Sequence, residues 1–335
     1  MQDKNISSVI FISGRFRSGT SMLWNLFNQL PQYCAWYEPL HTNLLKHIAH
    51  VKPKKDHLGI DDYWQNYRSL NELSQFYKAE FGYDRLLLEK HEKHEKLAQY
   101  IEYIIAQSGD KIPVLQFNRM DLRLGWLRNK FPNATIININ RNAFSSWVSS
   151  RKHLQHEADK NDESHPDAYD LMQWSVDLAQ HFPMLLPKHN RNSYYRHYFI
   201  WKLSRLISDS NIDIHLSLEQ DFLNTDNGIS LLAKKLNWDK QAIEQVKKLI
   251  QKPQSHMQST SLPNAFKDIE TRINTTFKQT GLDKSYPSCP LLTLKLEHKD
   301  FWPNYPSNNH DSIKELLSAL VFQKNELTEL YKNQP

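Results

Sequence analysis

The sequence predicts an α/β protein with a parallel sheet of about five strands, flanked by helices and carrying helical insertions. Short apolar runs rich in β-branched residues recur along the chain, as expected of strands buried on both faces of a parallel sheet. Segments with helical spacing separate these runs, which favours a doubly wound arrangement. The first run leads directly into a glycine-bounded turn and a helix, a context typical of anion-binding loops.

The strands and helices of the core alternate along the chain. Strands are predicted at Val9–Ile12, Tyr33–Trp36, Pro113–Phe117, Ala134–Ile139 and Ile212–Leu218. Helices are predicted at Ser21–Phe27, Leu122–Lys130, Ala143–His153, Tyr195–Ser208 and Ile229–Leu236. The sequence therefore predicts one domain over residues 1–335, whose core is 8–40, 112–153 and 212–238.

The segments between the core pieces have a different composition. Residues 41–110 are polar and mostly helical in pattern, with a single sheet-like run at Leu86–Leu88, and residues 154–190 are rich in His, Asp and Lys. We interpret both as helical insertions, the second as a lid or surface segment. The tail, 252–335, is proline-rich until the capping-box pattern Ser312–Glu315, which predicts a last helix.

Composition limits the function classes. The chain has 335 residues, 39% of them hydrophobic and 24% charged, with a formal net charge of +5. This is a globular composition, too weakly basic for a dedicated nucleic-acid binder but suited to a pocket for a multiply anionic ligand. Two cysteines predict no disulfide framework, and we find no signal peptide and no membrane span. These features predict a cytoplasmic protein.

The glycine-bounded turn, Gly14–Ser21, is similar to the P-loop pattern G-x-x-x-x-G-K-[ST] but has Thr20 in place of the lysine. Its glycines let the backbone amides point inward, and the following helix adds a partial positive charge. A P-loop NTPase also requires that lysine and an acidic Mg²⁺ ligand. Here the cation is Arg17, inside the loop, and the fourth strand leads into Asn140 and Arg141. The pattern predicts a P-loop-like phosphate site that uses guanidinium groups in place of a metal.

The stretch Arg17-Ser-Gly-Thr-Ser-Met-Leu23 resembles the 5′-phosphosulfate loop of sulfotransferases, commonly [KR]-S-G-T-[ST]. The resemblance implies that Arg17 contacts the sulfuryl group being transferred. It further implies that the donor, 3′-phosphoadenosine 5′-phosphosulfate (PAPS), is bound by the loop residues Arg17, Ser18, Gly19, Thr20, Ser21 and Met22. Phe16 departs from the proline that often precedes the basic residue.

A second anion site is predicted at the end of the fourth strand. Arg141 follows that strand, where open α/β sheets bind ligands, and Ser149 lies two helical turns further on. An arginine fork and a hydroxyl suit a dianion. Sulfotransferases carry the same strand, Arg and Ser at plus eight, which grip the 3′-phosphate of the donor. The resemblance thus implies a bisphosphorylated nucleotide, with adenosine 3′,5′-bisphosphate as product.

Three further residues are candidates for the chemistry. Glu38, in Trp36-Tyr-Glu-Pro39, stands where tyrosylprotein and carbohydrate sulfotransferases place a glutamate, and we interpret it as the general base, with His41 as the nearest alternative. Arg119 ends the third strand and is predicted to stabilise charge on the leaving phosphate. Glu219, within Leu216–Leu223, resembles a family strand end, with Leu218 departing from its tyrosine and a structural role implied.

The sequence predicts metal-independent, in-line transfer of a sulfuryl group to an acceptor hydroxyl. Sixteen histidines include no recognisable zinc spacing, so we predict no metal site. Two alternatives stay open: a P-loop small-molecule kinase and a non-catalytic nucleotide-binding protein. The acceptor, whether small molecule, carbohydrate, lipid or peptide, is left open, and so is a homodimer formed through the last helix. An adenine contact is expected within 255–285, and the motif layout is nearest to the tyrosylprotein, carbohydrate and bacterial sulfotransferases.

Overall fold

Five parallel strands form one sheet in the order β2-β3-β1-β4-β5. The structure is a computed structural model and describes residues 9–56, 58–151, 169–185, 192–250, 262 and 264–279. The strands are β1 Ile10–Ser13, β2 Tyr33–Tyr37, β3 Ile112–Phe117, β4 Thr135–Asn140 and β5 Ile214–Ser217. The predicted fold class, an α/β protein with a parallel sheet of about five strands, is confirmed.

The described helices precede and follow the strands along the chain. They are α1 Thr20–Asn28, α2 Leu44–His50, α3 Leu73–Phe76, α4 Glu95–Ala106, α5 Leu124–Lys130, α6 Ala143–Arg151, α7 Leu171–Leu178, α8 Ser193–Ser208, α9 Asn227–Leu236, α10 Lys240–Lys247 and α11 Asn264–Gln279. Short 3₁₀ turns and one π-helical turn, Leu218–Leu223, lie between them. None of the helices described is long and apolar enough to cross a membrane.

The insertion 41–110 is less regular than its pattern indicates. It contains α2, α3 and α4 with two 3₁₀ turns, and irregular backbone joins them. Leu86–Leu88 is no strand, although its side chains are buried, so its apolar run reflects burial. The predicted last helix after Ser312, and much of 154–190 and 255–285, lie outside the described residues.

The register of the strands brings their carboxyl ends to one edge. Ser13, the last residue of β1, pairs with Phe117 on one side and with Asn138 on the other. Each of these strands is followed by a candidate segment: the glycine loop after β1, Arg119 after β3 and Arg141 after β4. Parallel sheets bind ligands outside this edge, where the connections diverge.

Two apolar layers cover the sheet, which explains why its strands are apolar throughout. Alternate strand residues such as Ile10 and Ile12 pack against α1, α9 and α10, whereas Phe11 packs with side chains from α4 and α5. The helices α1 and α5 therefore lie on opposite faces, and the loop that leads into α1 starts at the central strand. This placement holds the loop on a rigid base.

The described residues fall into two compact units. The first comprises those within Met1–Gly82, Leu88–Ser146 and Ile207–Leu262, and it contains all five strands. The second comprises those within Tyr83–Leu87, Trp147–Leu206 and Pro263–Pro335.

The second unit is helical and has its own packing. The rings of Phe199 on α8 and Phe277 on α11 are 4.9 Å apart, and the Tyr194 hydroxyl donates to Glu270 Oε1 at 2.5 Å. The buried Asp177 carboxylate on α7 accepts from the amides of Arg85 and Leu86 at 2.9 Å. These bonds satisfy a buried charge and hold the segment 83–87 against α7.

Candidate active site

Two glycines let the loop after β1 lie directly on the sheet. A Cβ on Gly14 would stand 2.5 Å from the carbonyl oxygen of Ile139, and one on Gly19 would stand 2.8 Å from the Leu218 side chain. Gly19 also has a φ of 99°, in the left-handed region that favours glycine. Any other residue at either position would lift the loop from β4 or the turn after β5.

Helix α1 presents its first amides at the end of this loop. Gly19 is the N-cap and supplies no side-chain oxygen, and the first intrahelical bond runs from Leu23 N to Gly19 O at 3.0 Å. The amides of Thr20, Ser21 and Met22 therefore lack intrahelical acceptors. With the helix dipole they form a partly positive site that suits an anion.

The loop hydroxyls are engaged within the protein. Ser18 Oγ donates to the Arg15 carbonyl at 2.6 Å, Thr20 Oγ1 donates to Asn118 Oδ1 at 2.7 Å, and Ser21 Oγ lies 2.9 Å from the Tyr37 hydroxyl. A hydroxyl has a single hydrogen to donate. In this state Thr20 can offer an anion its backbone amide but not its hydroxyl hydrogen, whereas the amide and the hydroxyl of Ser18 both donate to the Arg15 carbonyl oxygen.

The side chain of Arg141 contacts the loop at the backbone of Arg17. Arg17 has a φ of 64°, and its carbonyl oxygen accepts from Arg141 Nη1 at 3.0 Å. Burial lowers the pKa of Arg141, the Glu219 carboxylate counteracts that, and the nearby charge of Arg17 lowers the pKa further. The side chain of Arg141 is 7% exposed, so its charge is held in a place that disfavours it.

Glu219 is the counter-charge to Arg141. Its Oε1 lies 3.6 Å from Arg141 Nε and accepts from the Asn142 amide at 3.2 Å. The Glu219 side chain is 32% exposed, so solvent weakens its attraction for the guanidinium. The structural role implied for Glu219 by the sequence stays a prediction, and its carboxylate lies where it can orient Arg141. Ser149, predicted to act with Arg141, is buried in α6 in the second unit, so the joint clamp stays a prediction.

Glu38 and Arg119 form a buried ion pair. Arg119 Nη1 lies 2.8 Å from Glu38 Oε2, with side chains 4% and 8% exposed. The other carboxylate oxygen, Oε1, accepts from Asn118 Nδ2, and the Glu38 amide donates to Gln116 Oε1 at 3.3 Å. Glu38 and Arg119 were predicted as site residues independently of each other, and they are paired in the structure because β2 and β3 are neighbours.

The backbone at Glu38 is held in an unusual conformation. Its φ is 38°, and it precedes Pro39, which disfavours helical conformations at the preceding residue. A non-glycine residue in such a region costs roughly 1–3 kcal/mol, which the surrounding structure must offset. Such conformations occur frequently at functional sites, and here the hydrogen bonds to the Glu38 side chain and amide fix its direction.

Phe16 connects the loop to Arg119. The guanidinium carbon of Arg119 lies 4.8 Å from the centre of the Phe16 ring. Phe16 stands where a proline is common in the family, and its aromatic ring makes a cation–π contact with Arg119 worth about 0.5–2 kcal/mol. Arg119 is therefore fixed by Glu38 on one side and by the loop on another.

Sequence reasoning missed the polar side chains that support this pair. Gln116 and Asn118 are buried at the end of β3, and Gln116 Nε2 donates to Asn118 Oδ1 at 3.1 Å. A buried polar residue in an apolar strand is informative, so the alternating Gln116 and Asn118 were the available signal. Tyr37 was missed too: burial, and then the Glu38 charge, raise its pKa well above the ordinary value, which keeps its phenol protonated.

His41, the alternative base, is occupied differently. Its Nδ1 accepts from the Asn43 amide at 3.0 Å, and its ring lies 4.5 Å from the His47 ring. In the part of the chain that the structure describes, no group of three or more His, Cys, Asp or Glu side chains is arranged to hold a metal ion.

Comparison with known families agrees with the motifs. A model described as "Sulfotransferase family" matches residues 9–190, more than half of the chain. The chain belongs to the sulfotransferase family. The resemblance stated from the sequence is therefore confirmed, and the protein is a transferase of sulfuryl groups.

Solved structures that resemble this sulfotransferase are distant. The sulfotransferase domain of the Synechococcus PCC 7002 olefin synthase is 13% identical, with a TM-score of 0.35, covering 89% of this chain and 95% of that one. The sulfotransferase STF9 from Mycobacterium avium is 12% identical, with a TM-score of 0.41 and coverages of 85% and 78%. A search of curated proteins gave no match.

Proposed function

We propose that this sulfotransferase transfers the sulfuryl group of PAPS to an acceptor hydroxyl, in line and without a metal ion. The observation that carries the proposal is the buried guanidinium group of Arg141, which donates to the Arg17 carbonyl oxygen close to the first turn of α1 and whose charge both burial and the charge of Arg17 disfavour. An anion bound at this place would stabilise that charge.

The residues of the loop edge fit the anionic groups of such a donor. The amides of Thr20, Ser21 and Met22 would hold the 5′-phosphate, and Arg17 would reach the sulfuryl group. Arg141, with Ser149, would hold the 3′-phosphate. The donor supplies the sulfuryl group. The protein supplies fixed positive charge in a partly buried site, where electrostatic stabilisation of a developing charge is strongest.

Glu38 would accept the proton of the acceptor hydroxyl. A carboxylate offers about four lone-pair positions, and the bonds from Arg119 and Asn118 use two of them. The acceptor hydroxyl would use one of the remaining positions. Arg119 would keep the carboxylate oriented and would face charge that develops on the leaving group. A positioned general base contributes about 10²–10⁴-fold to the rate.

The donor assignment is tested by ligand-induced thermal stabilisation. We expect adenosine 3′,5′-bisphosphate to raise the melting temperature more than ATP with Mg²⁺ does at the same concentration. Arg141→Met should weaken bisphosphate binding about 10–100-fold, the loss expected for a charge-assisted hydrogen bond of roughly 1.5–3 kcal/mol.

The matched control is Arg128→Met. Arg128 pairs with Asp213 and bonds the Ala134 carbonyl before β4, at the opposite edge of the sheet. Its replacement should leave bisphosphate affinity unchanged. Stronger stabilisation by ATP with Mg²⁺, or equal losses in both arginine variants, would contradict the donor assignment.

The base assignment is tested by Glu38→Gln. With PAPS and an acceptor found by screening phenols, sugars, lipids and tyrosine peptides, kcat should fall by about 10²–10⁴-fold. Bisphosphate affinity should stay within a few-fold of the wild type, because Glu38 is not assigned to the donor. A variant that keeps its turnover would remove Glu38 from the reaction.

A further inference from the structure

We propose that Asn118 is a positioning residue that connects the donor loop to the Glu38 carboxylate, so that the direction of the base depends on the loop. The inference rests on the proposed function and goes beyond it, since it assigns a role to a residue that neither binds the donor nor contacts the acceptor. The proposal rests on the hydrogen bonds by which Asn118 contacts both Thr20 and Glu38.

A closed set of hydrogen bonds joins the three residues. Thr20 Oγ1 donates to Asn118 Oδ1 at 2.7 Å, and Asn118 Nδ2 donates to Glu38 Oε1. Gln116 closes the set, because its Nε2 donates to Asn118 Oδ1 at 3.1 Å and its Oε1 accepts from the Glu38 amide at 3.3 Å.

The chemistry of the partners fixes the direction of each bond. An ionised carboxylate only accepts, so the Asn118 amide nitrogen must face Glu38. Its oxygen then faces Thr20 and Gln116, both of which can donate. Reversing the Asn118 amide would place two oxygens against each other at Glu38 and two donors against each other at Gln116.

Burial makes this set of bonds strong and costly to break. Thr20, Gln116, Asn118 and Glu38 are between 0% and 7% exposed. Water cannot easily replace a lost partner at such positions, and a buried donor or acceptor left unpaired costs about 1–3 kcal/mol. Each side chain is thus confined to one orientation while the others stay in place.

This confinement couples two functional elements. Thr20 is the first residue of α1, whose amides we assign to the donor phosphate, and only one side chain, that of Asn118, stands between its hydroxyl and Glu38 Oε1. A shift of the first turn therefore changes the direction of the base. Asn118 acts through Glu38, and an isosteric change at Asn118 should affect turnover more than donor binding.

The test uses Asn118→Asp, which keeps the shape of the side chain. The aspartate still accepts from Thr20 and Gln116, but it presents an oxygen, not a donor, to Glu38. We expect kcat to fall by about 10–100-fold, as for a reacting group displaced by up to about 1 Å. The KM for the donor should change less than threefold, and the melting temperature should fall.

A second substitution provides a rescue. In Asn118→Asp/Glu38→Gln the new amide can donate to the aspartate, which restores the bond with its direction reversed. We expect the melting temperature lost in Asn118→Asp to be recovered, while kcat stays at the level of Glu38→Gln. A double variant less stable than Asn118→Asp would overturn the proposed contact.

The matched control is Asn25→Asp, the same substitution at a buried asparagine of α1 that bonds Gln29. It should lower stability without changing kcat.

In Thr20→Val/Asn118→Asp, kcat at saturating donor should fall by less than the product of the two single losses, because both substitutions break one connection. Additive losses, or an Asn118→Asp kcat equal to that of Asn25→Asp, would overturn the inference. A wild type without bisphosphate binding or sulfuryl transfer would instead contradict the proposed function.

Discussion

Buried charges are paired differently on the two sides of the sheet edge where the strands end. On the β2–β3 side, Glu38 and Arg119 form an ion pair of 2.8 Å in which both side chains are less than a tenth exposed. On the β1–β4 side, Arg141 is as deeply buried, but its carboxylate partner, Glu219, lies 3.6 Å away and is about a third exposed. Arg17 adds a second positive charge there.

This difference separates two tasks. On the β2–β3 side Glu38 and Arg119 neutralise each other and both carboxylate oxygens of Glu38 accept hydrogen bonds, so this side holds a fixed geometry. On the β1–β4 side the charge of Arg141 faces a carboxylate that is partly solvated, and the charge of Arg17 opposes it, which suits this side to an anion. Positioning and ligand binding are thus assigned to neighbouring strands, and substitutions should affect the two sides in different ways.

The largest expected effect distinguishes the two arginines by stability. Arg119→Met leaves the Glu38 carboxylate buried without its counter-charge and should lower the free energy of unfolding by about 3–5 kcal/mol. Arg141→Met should cost less than about 1 kcal/mol, because Glu219 remains hydrated and the repulsion from Arg17 disappears. Urea unfolding at neutral pH measures both.

A double variant sharpens this comparison. Arg119→Met/Glu38→Gln removes both charges and should recover a large part of the stability lost in Arg119→Met. Equal costs for Arg119→Met and Arg141→Met would show that the two ion pairs are equivalent, against the contrast that the distances and exposures indicate.

Local patterns were sufficient to predict the sheet. Each strand is an apolar run, and the glycine loop is marked by its own residues, so neither depends on distant parts of the chain. The strand bounds moved slightly: the last strand is Ile214–Ser217, where Ile212–Leu218 was expected, because the Asp213 carboxylate accepts from the Ile136 amide before β5 begins.

The contacts within the site needed the fold. Glu38 and Arg119 were each chosen from position, but their pairing follows from the adjacency of β2 and β3, which no local pattern encodes. Arg141 and Glu219 meet for the same reason across β4 and β5. Asn118 lacked a motif, and its role depends on Thr20 and Glu38, which are 98 and 80 residues away in the sequence.

A prediction of intermediate size tests whether solvent reaches the β2–β3 side. Burial, above all, raises the pKa of Tyr37 well above its ordinary value. An unfolded tyrosine ionises near pH 10, so above that pH the folded state binds the extra proton and stability falls as pH rises. Tyr37 should contribute about 1.4 kcal/mol per pH unit to that fall.

Tyr37→Phe removes this contribution while keeping the ring. Its free energy of unfolding, measured by urea at several values above pH 10, should decline less steeply than that of the wild type by the stated amount. The variant lacks the bond to Ser21 at every pH. This loss lowers its free energy of unfolding by a constant amount and leaves the slope against pH unchanged. Parallel slopes would mean that solvent reaches the phenol and that this side is open.

The smallest expected effect concerns the counter-charge of the β1–β4 side. Glu219→Gln keeps an oxygen that can accept from the Asn142 amide but removes the negative charge that partly balances Arg141. Stability without ligand should fall by less than about 1 kcal/mol, since Glu219 is partly solvated. An added anion then replaces the missing charge, so adenosine 3′,5′-bisphosphate should raise the melting temperature by more degrees than in the wild type. A smaller rise of the melting temperature in Glu219→Gln than in the wild type would mean that Glu219 favours binding, because orienting Arg141 outweighs neutralising it. The positive charge of this side would then not be what attracts the donor.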